Sequence, residues 1–324
     1  MTIAEPLTGG QLSAASPARG AQGQTALAPG SVLHTANAGM IVERTAQVRN
    51  EFHSEARVFA RELAEHINTT QEGVASVFLY EETFGVKDRI HWLIHLKSMD
   101  AYDTLVRMGD SDEGYRALFG KQRIAPERGG GTWSRMFLDG SLSETVMLPQ
   151  FWGMYGTKVD GELERGTDVY LSEDADVELP PARAQTTQSD EELLHSANAG
   201  ILLHRTAEIL YDYRSEARQF AREAAQVIND NLAGEATVLV YEDAFGPMDR
   251  IHWLIHMRSL STYRSLMRLH VRDEGAREIF FRERAPEKGG GGTWARMFTQ
   301  GSFLDTALTP HHWGLYATAK PDPA

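Results

Sequence analysis

The chain is one sequence unit written twice. The segment Leu33-His-Thr-Ala-Asn-Ala-Gly39 returns as Leu194-His-Ser-Ala-Asn-Ala-Gly200, and the register then holds along the chain with an offset of 161 residues. Later in the unit, Asp88-Arg-Ile-His-Trp-Leu-Ile-His95 returns as Asp249-Arg-Ile-His-Trp-Leu-Ile-His256. Self-similarity at one fixed spacing indicates two copies of a single folding unit. We therefore expect whatever one copy builds to be built again by the other.

Composition excludes several classes of partner and of chemistry. The 324 residues carry 32 Lys and Arg against 45 Asp and Glu, a formal net charge of −13, so binding of nucleic acid or an anionic membrane is not expected. The chain has no cysteine, which excludes disulfides and thiolate sites and suits a reducing compartment. No run of about eighteen apolar residues occurs, so no membrane span is expected. We expect a cytoplasmic protein.

Composition also divides the chain. Residues 1–32 are rich in Ala, Gly, Ser and Pro and are predicted to be a disordered leader. Residues 33–158 and 194–318 are the two repeat units. Residues 159–193 hold eleven acidic side chains and two basic ones, which favours a solvated acidic linker between them. Residues 319–324 form a short tail.

Hydrophobic periodicity predicts the same elements in each unit. In the first unit we expect strands over 39–48, 75–82, 89–97 and 132–138, and helices over 50–68 and 98–119, with a short fifth strand over 150–157. The order β-α-β-β-α-β is that of a ferredoxin-like unit, in which two helices cover one face of an antiparallel sheet. The fold class is therefore α+β, and the open face of each sheet needs a cover.

The strand His-Trp-Leu-Ile-His followed by two residues and Ser, as in His91 to Ser98 and His252 to Ser259, together with this element order, resembles the dimeric α/β-barrel superfamily. That superfamily includes antibiotic-biosynthesis monooxygenase-like proteins, stress-responsive barrel proteins and several haem enzymes. The resemblance implies that the two units bury their open sheet faces against each other in one pseudo-dimeric α/β barrel. Such pseudo-dimers can associate again as a homo-oligomer.

Alternation along the third strand places its histidines on the face opposite its tryptophan. We expect the four histidines to point between the two sheets, where at least one acts as a general base or ligand, or where all serve as structural groups. These candidates are His91, His95, His252 and His256. Two histidines four residues apart on a strand are about 13 Å apart, too far to hold one metal ion together. No metal is expected, although a site built from both copies with Glu43, His204, Glu82 or Asp243 stays open.

Aromatic and arginine side chains extend the candidate site. Tyr80 and Tyr241 are candidates to orient a phenol or a carbonyl, against a structural role for both. On the predicted fourth strand, a tryptophan and an arginine share one side, where together they can sandwich a flat aromatic ligand or simply pack and pair. These substrate-binding candidates are Trp133, Arg135, Trp294 and Arg296.

The sequence lacks the motifs of the common cofactor enzymes. It has no Gly-x-Gly-x-x-Gly, no Gly-x-Ser-x-Gly and no His-Glu-x-x-His segment, and no cofactor is expected. With the resemblance, this favours a cofactor-independent oxygenase of secondary metabolism, which forms a quinone or modifies a ring of an aromatic polyketide-like substrate with O₂. A cyclase would need the same groups. The alternatives are a non-catalytic small-molecule binding or self-resistance protein and a haem-dependent barrel enzyme.

The two copies differ at several polar positions. If one half is active and the other structural, the difference is expected at such positions, whereas neutral drift would also produce them. In order, the first copy and then the second carry Glu43 and His204, Asn50 and Tyr211, His53 and Arg214, Gln150 and His311, and Phe151 and His312.

Overall fold

Eight strands close into one antiparallel barrel. The computed structural model describes residues 20–151, 180–285, 287, 290–318 and 320–321. The strands are β1 (Met40–Gln47), β2 (Ala75–Phe84), β3 (Arg89–Leu96), β4 (Ser143–Pro149), β5 (Ile201–Glu208), β6 (Ala236–Phe245), β7 (Arg250–Met257) and β8 (Leu304–Pro310). Around the barrel they follow the order β1-β3-β2-β8-β5-β7-β6-β4. Because β2 pairs with β8 and β4 pairs with β6, neither half closes the barrel alone.

Six helices of the described residues accompany the barrel. They are α1 (His53–Thr70), α2 (Asp100–Ser111), α3 (Glu113–Gly120), α4 (Arg214–Asn231), α5 (Thr262–Arg272) and α6 (Glu274–Phe281). The apolar face of α1 is buried, and α4 buries the equivalent face in the second copy. Asp112 caps α3, because its carboxylate accepts a hydrogen bond from the Tyr115 amide. The fold is thus an α+β barrel, which agrees in outline with the superfamily that the sequence resembles.

The predicted fourth strand is wrong. Residues 132–138 contain a short 3₁₀-helix, Trp133–Met136, and the strand that completes the sheet is β4, which pairs with β1. The preceding glycines 129–131 all have positive φ and turn the chain before it can extend. In β4, Thr145 and Met147 alternate with Val146 and Leu148, a pattern that the sequence already carried. The predicted fifth strand is absent at residues 150 and 151, and its remainder lies outside the described residues.

Parts of the expected leader and linker are packed. Ala21 is fully buried, and Gln24 donates to the Leu79 carbonyl and accepts from the Leu79 amide. Gly20 lies against the second repeat so closely that an added Cβ would stand 2.6 Å from the Ala197 oxygen. Residues 182–185 form a 3₁₀-helix at the corresponding place in the other half, where Gln185 bonds to Val240. The prediction of disorder is therefore corrected for residues 20–32, and that of a solvated linker for 180–193. Residues 1–19 and 152–179 lie outside the description.

A buried ion pair joins each long helix to the sheet. Arg57 of α1 donates from Nε and Nη2 to the two oxygens of Glu81, at 2.8 and 2.6 Å. Arg218 of α4 binds Glu242 in the same way, at 2.8 and 2.7 Å. Both arginines are fully buried, so each pair is shielded from water. This arrangement fixes the helices on the outer face of the barrel.

Candidate functional site

The third strand of each half turns its histidines inward and its tryptophan outward, as the alternation predicts. His91 and His95 are buried on the inner face of β3. Trp92 points the other way, and its Nε1 donates to the Ala60 carbonyl of α1 at 3.4 Å. In β7, His252 and His256 face inward, while Trp253 donates to Ala221 of α4 at 3.2 Å.

Two short segments of the chain fill the barrel next to His95 and His256. Residues 34–38 and 195–199, here called the axis plug, enter the barrel, where Thr35 and Ser196 are fully buried, while Asn37 and Asn198 stay exposed. The two residues bind each other reciprocally: the Thr35 amide donates to Ser196 Oγ at 3.1 Å, and the Ser196 amide donates to Thr35 Oγ1 at 3.0 Å. The repeated motif that first revealed the duplication is therefore a structural core.

His95 and His256 hold the axis plug in place. His95 Nδ1 donates to the Ser76 carbonyl at 3.2 Å, which leaves Nε2 to accept from Ser196 Oγ at 2.8 Å. His256 makes the equivalent contact to Thr35 at 2.9 Å. Burial lowers the pKa of each of these imidazoles to about 3, so both are neutral. With both ring nitrogens engaged, neither is placed to act on a ligand.

The two candidate tyrosines are likewise engaged. Tyr80 donates its hydroxyl hydrogen to the Ser196 carbonyl, and Tyr241 donates to the Thr35 carbonyl. Burial raises the pKa of both phenols above the usual range. Each tyrosine of one half thus fastens the plug segment of the other.

Two histidines of the axis plug were not among the candidates. The rings of His34 and His195 stack at 3.6 Å with an angle of 11° between their planes. Burial lowers the pKa of His34 to about 4, and burial with the neighbouring histidines lowers that of His195 to about 2. The duplicated motif contains both residues, so their symmetric position could be found from the repeat alone.

The remaining two candidate histidines belong to a buried chain of acidic and imidazole groups, here called the relay, which crosses from one half to the other. In order it contains Glu82, His91, Glu43, His204, His252 and Asp243. On the first-half side, His91 Nε2 lies 3.1 Å from Glu82 Oε1, and His91 Nδ1 lies 2.8 Å from Glu43 Oε1. His91 is thus held between two carboxylates.

Where the relay passes from one half to the other, the two copies carry different residues at the same position of the repeat. Glu43 Oε2 lies 3.1 Å from Nδ1 of His204, its counterpart in the repeat. Beyond it, His204 Nε2 lies 2.8 Å from His252 Nδ1, and His252 Nε2 lies 3.1 Å from Asp243 Oδ1. Two identical residues at this contact would bring like groups together, whereas Glu and His attract.

The charge states of the relay follow from its contacts. Burial alone would lower the pKa of His91, but its bonds to Glu43 and Glu82 raise it to about 9, so this ring is an imidazolium near neutral pH. Burial would raise the pKa of Glu43, yet His204 and His91 hold it well below its usual range. Burial lowers the pKa of His252. His91 therefore holds a proton and is not available as a general base at neutral pH.

The four substrate-binding candidates lie outside the barrel. Arg135 is exposed and donates to the Gly129 and Gly130 carbonyls, and Arg296 is exposed at the equivalent place. Trp133 stacks on Phe59 of α1 at 5.7 Å. The prediction that each tryptophan and arginine share one face of a fourth strand is wrong, because they belong to 3₁₀-helices and not to strands. Trp294, however, lines a cavity.

That cavity lies between the second-half sheet and its helices and has a volume of 420 Å³. Five aromatic rings, three aliphatic side chains, Ala224 and an ion pair line it. These residues are Phe220, Trp253, Phe280, Trp294, Phe303, Ile228, Val238, Ile255, Ala224, Arg205 and Asp305. Arg205 Nε and Nη2 donate to Asp305 at 2.7 Å each, and both side chains are about a third exposed. The ion pair therefore lies where the cavity meets solvent.

Several side chains differ between this region and its counterpart in the first half: Ala224, Phe303 and Ala276 stand where the first half has Leu63, Leu142 and Tyr115. There, Leu63 of α1 is buried in one packed cluster with Phe59, Phe119 and Trp133. In the second half, the position of Leu63 is taken by Ala224, which lines the cavity. Removing a buried leucine side chain leaves space when the surroundings do not collapse. The sequence already shows this change, since Ala224 stands on the apolar face of α4 where α1 has Leu63.

The cavity lacks a haem ligand, and the described residues lack an arranged metal-holding group. The cavity lining contains no imidazole, phenol, thiolate or thioether that could bind haem iron. The imidazoles and carboxylates of the relay bind each other, and no group of three or more His, Cys, Asp or Glu in the described part of the chain is arranged to hold a metal ion. We derive no chemistry through either group.

Among the helices of the described ranges, none combines the length and apolarity that crossing a membrane requires.

Comparison with solved structures gives distant likenesses, three of which follow. Two are proteins called "putative monooxygenase", from Lactobacillus acidophilus and Fusobacterium nucleatum, each with a TM-score of 0.47, at 9% and 6% identity, covering 84% and 86% of this chain and 93% of each of those chains. A mutant chlorite dismutase from Candidatus Nitrospira defluvii in complex with cyanide has a TM-score of 0.42 at 11% identity, with 84% of this chain and 92% of that chain covered. Likenesses at this level carry no argument about activity.

Among curated proteins, no relative matches the chain. A family model does match, over residues 11–316, which include both repeats and everything between them. The chain therefore belongs to DUF6039, a family of unknown function.

Proposed function

We propose that this protein binds a flat, largely apolar small molecule in the cavity of its second half. The observation that carries the proposal is the 420 Å³ space beside Ala224, lined by five aromatic rings. Small-molecule sites in proteins are concave, mostly apolar and carry few polar groups. Here the polar groups are those of Arg205 and Asp305 at the rim.

The orientation of the rings favours a planar ligand. Phe220 and Trp294 are nearly parallel, with centroids 5.3 Å apart and an angle of 8° between planes. Trp253 and Phe303 form a second such pair, at 6.0 Å and 20°. Within each pair the rings stack on one another, so a fused-ring molecule would contact their outer faces and edges and bury its apolar surface there. An aromatic polyketide-like compound has this shape and chemistry.

Binding without catalysis is the activity that the site supports best. A cofactor-independent oxygenase of the expected kind would hold its aromatic substrate in the same cavity, but it also needs a base near the ligand. His252 and His256 lie on the opposite face of β7, and the lining offers one carboxylate, Asp305, which is paired with Arg205. Oxygen uptake measured with the bound ligand would distinguish an oxygenase from a binding protein.

The proposal is tested by titrating the protein with 1-aminoanthracene, a flat fluorescent probe, with Ala224→Leu as the decisive variant. We expect one saturable site per chain, and we expect Ala224→Leu to weaken it at least roughly tenfold, because the new side chain takes up space that the probe needs. The matched control is Leu63→Ala, the reverse change in the first half. It should leave the second-half affinity unchanged while lowering stability by about 2–5 kcal/mol. Absence of saturable binding, or equal affinity in Ala224→Leu, would contradict the proposal.

A further inference from the structure

Helix α2 presents an exposed apolar stripe to solvent. Met99, Tyr102 and Val106 are 46%, 38% and 58% exposed, and their spacing of three and four residues places them on one face of the helix. Solvent-facing positions of a helix are ordinarily polar, and a row of large apolar side chains there is typical of an interaction surface.

Helix α5 carries the same stripe at the equivalent positions. Leu260, Tyr263 and Met267 are 50%, 37% and 54% exposed, and Val271 extends the row one turn further at 66%. Both copies of the unit thus expose apolar side chains at three matching positions. Together the two helices provide the chain with two similar apolar surfaces.

The charges that flank the two stripes are opposite. On α2 the exposed charged residues include Asp100, Asp103 and Asp110, with one arginine, Arg107. On α5 the charged side chains are three arginines with no carboxylate, namely Arg264, Arg268 and Arg272. Asp103 and Arg264 occupy the same position of the repeat. One surface is therefore acidic and its counterpart is basic around a shared apolar centre.

We propose that the α2 surface of one chain docks on the α5 surface of a second copy of this chain. Two α2 surfaces, or two α5 surfaces, would bring like charges together around their apolar stripes, whereas α2 against α5 pairs aspartates with arginines. Each chain carries one surface of each kind, so the contact is head-to-tail and can be repeated by every added copy. Repetition of this contact gives a closed ring or an open filament, according to the rotation that relates neighbouring copies.

The experiment is sedimentation of the intact chain at several concentrations, in low and high salt. We expect masses that are multiples of 36.1 kDa, with association weakened by salt because exposed charges are screened. Asp103→Arg and Arg264→Asp should each weaken association by roughly tenfold or more. The double variant Asp103→Arg with Arg264→Asp restores opposite charges at the contact and should recover the association. Asp212→Arg, an exposed change elsewhere, is the matched control.

The outcomes discriminate between occupants of these surfaces. A mass of one chain at every concentration would overturn the proposal, since the two surfaces would then not bind a second copy. Association that neither single variant weakens would place the contact elsewhere. Loss of association in both single variants without recovery in the double variant would show that the two helices do not meet each other.

Discussion

Glu43→Gln is expected to lower the free energy of unfolding by about 3–5 kcal/mol near pH 7, the usual effect of removing one partner from a buried ion pair. Glu43 is buried and contacts both His91 and His204, so its carboxylate balances the imidazolium of His91 and joins the two halves. A neutral amide would leave that cation with only Glu82. Urea unfolding followed by circular dichroism measures the change.

The same variant should alter the pH dependence of stability. The pKa of His91 is raised to about 9 in the folded state, so the stability that it provides is fully present below its unfolded value of about 6.5 and is lost as the pH rises towards 9. The axis-plug contacts act in the opposite direction. His95 and His256 have folded pKa values of about 3, so their contribution is present above pH 6.5 and falls as the pH drops below it. Maximum stability is expected near pH 6.5.

In Glu43→Gln the alkaline loss should still begin near pH 6.5 but should be smaller and end at a lower pH, because the folded-state pKa of His91 falls when one carboxylate is removed. The acid loss due to the axis plug should persist. Glu144→Gln, which removes an exposed carboxylate from the first half, is the control and should change stability by less than about 1 kcal/mol. An alkaline limb identical in Glu43→Gln and the unmodified protein would show that the relay does not hold its proton on His91.

The second large effect is expected for Arg218→Met. This change leaves the carboxylate of Glu242 buried without the arginine that binds it at two points, and we expect a loss of about 3–5 kcal/mol. Burial raises the pKa of Glu242 even with Arg218 present, so ionisation of this carboxyl group costs free energy. The measurement is again urea unfolding.

The double variant Arg218→Met with Glu242→Leu provides the control for this prediction. Replacing both charged groups with apolar ones removes the uncompensated charge, and most of the lost stability should return. A double variant as unstable as Arg218→Met would mean that the arginine acts through packing or through Asp249 instead, which it contacts at 3.0 Å.

Local patterns were sufficient for most of the fold. The duplication and the alternation on β3 predicted a closed chamber with its histidines inside, because a strand can turn only every second side chain to one face. The predicted fourth strand is misplaced because the glycine run next to Trp133 resembles the entry to a strand, although β4 carries an alternating pattern of its own. The reciprocal hold of the axis plug depends on contacts between residues far apart in sequence, such as Thr35 with Ser196, which no local pattern reveals.

The candidate site was predicted less well, for a physical reason. His95 and Tyr80 are residue types that can perform chemistry, which makes them candidates from the sequence. In the structure, both side chains bind the axis plug. Ala224, which lines the cavity, stands where the first half has Leu63, and a small residue carries no chemical signal of its own. Comparison of apolar positions between the copies would have pointed to it.

The proposed ligand site lies on the outer face of the second-half sheet, whereas the barrel interior is filled by the axis plug. Crystals under xenon pressure test this placement directly, because xenon occupies apolar cavities and its anomalous scattering locates it. We predict xenon beside Ala224, between α4 and the sheet, and its loss in Ala224→Leu. Xenon inside the barrel beside Tyr80 and His95, with the cavity empty, would contradict the account.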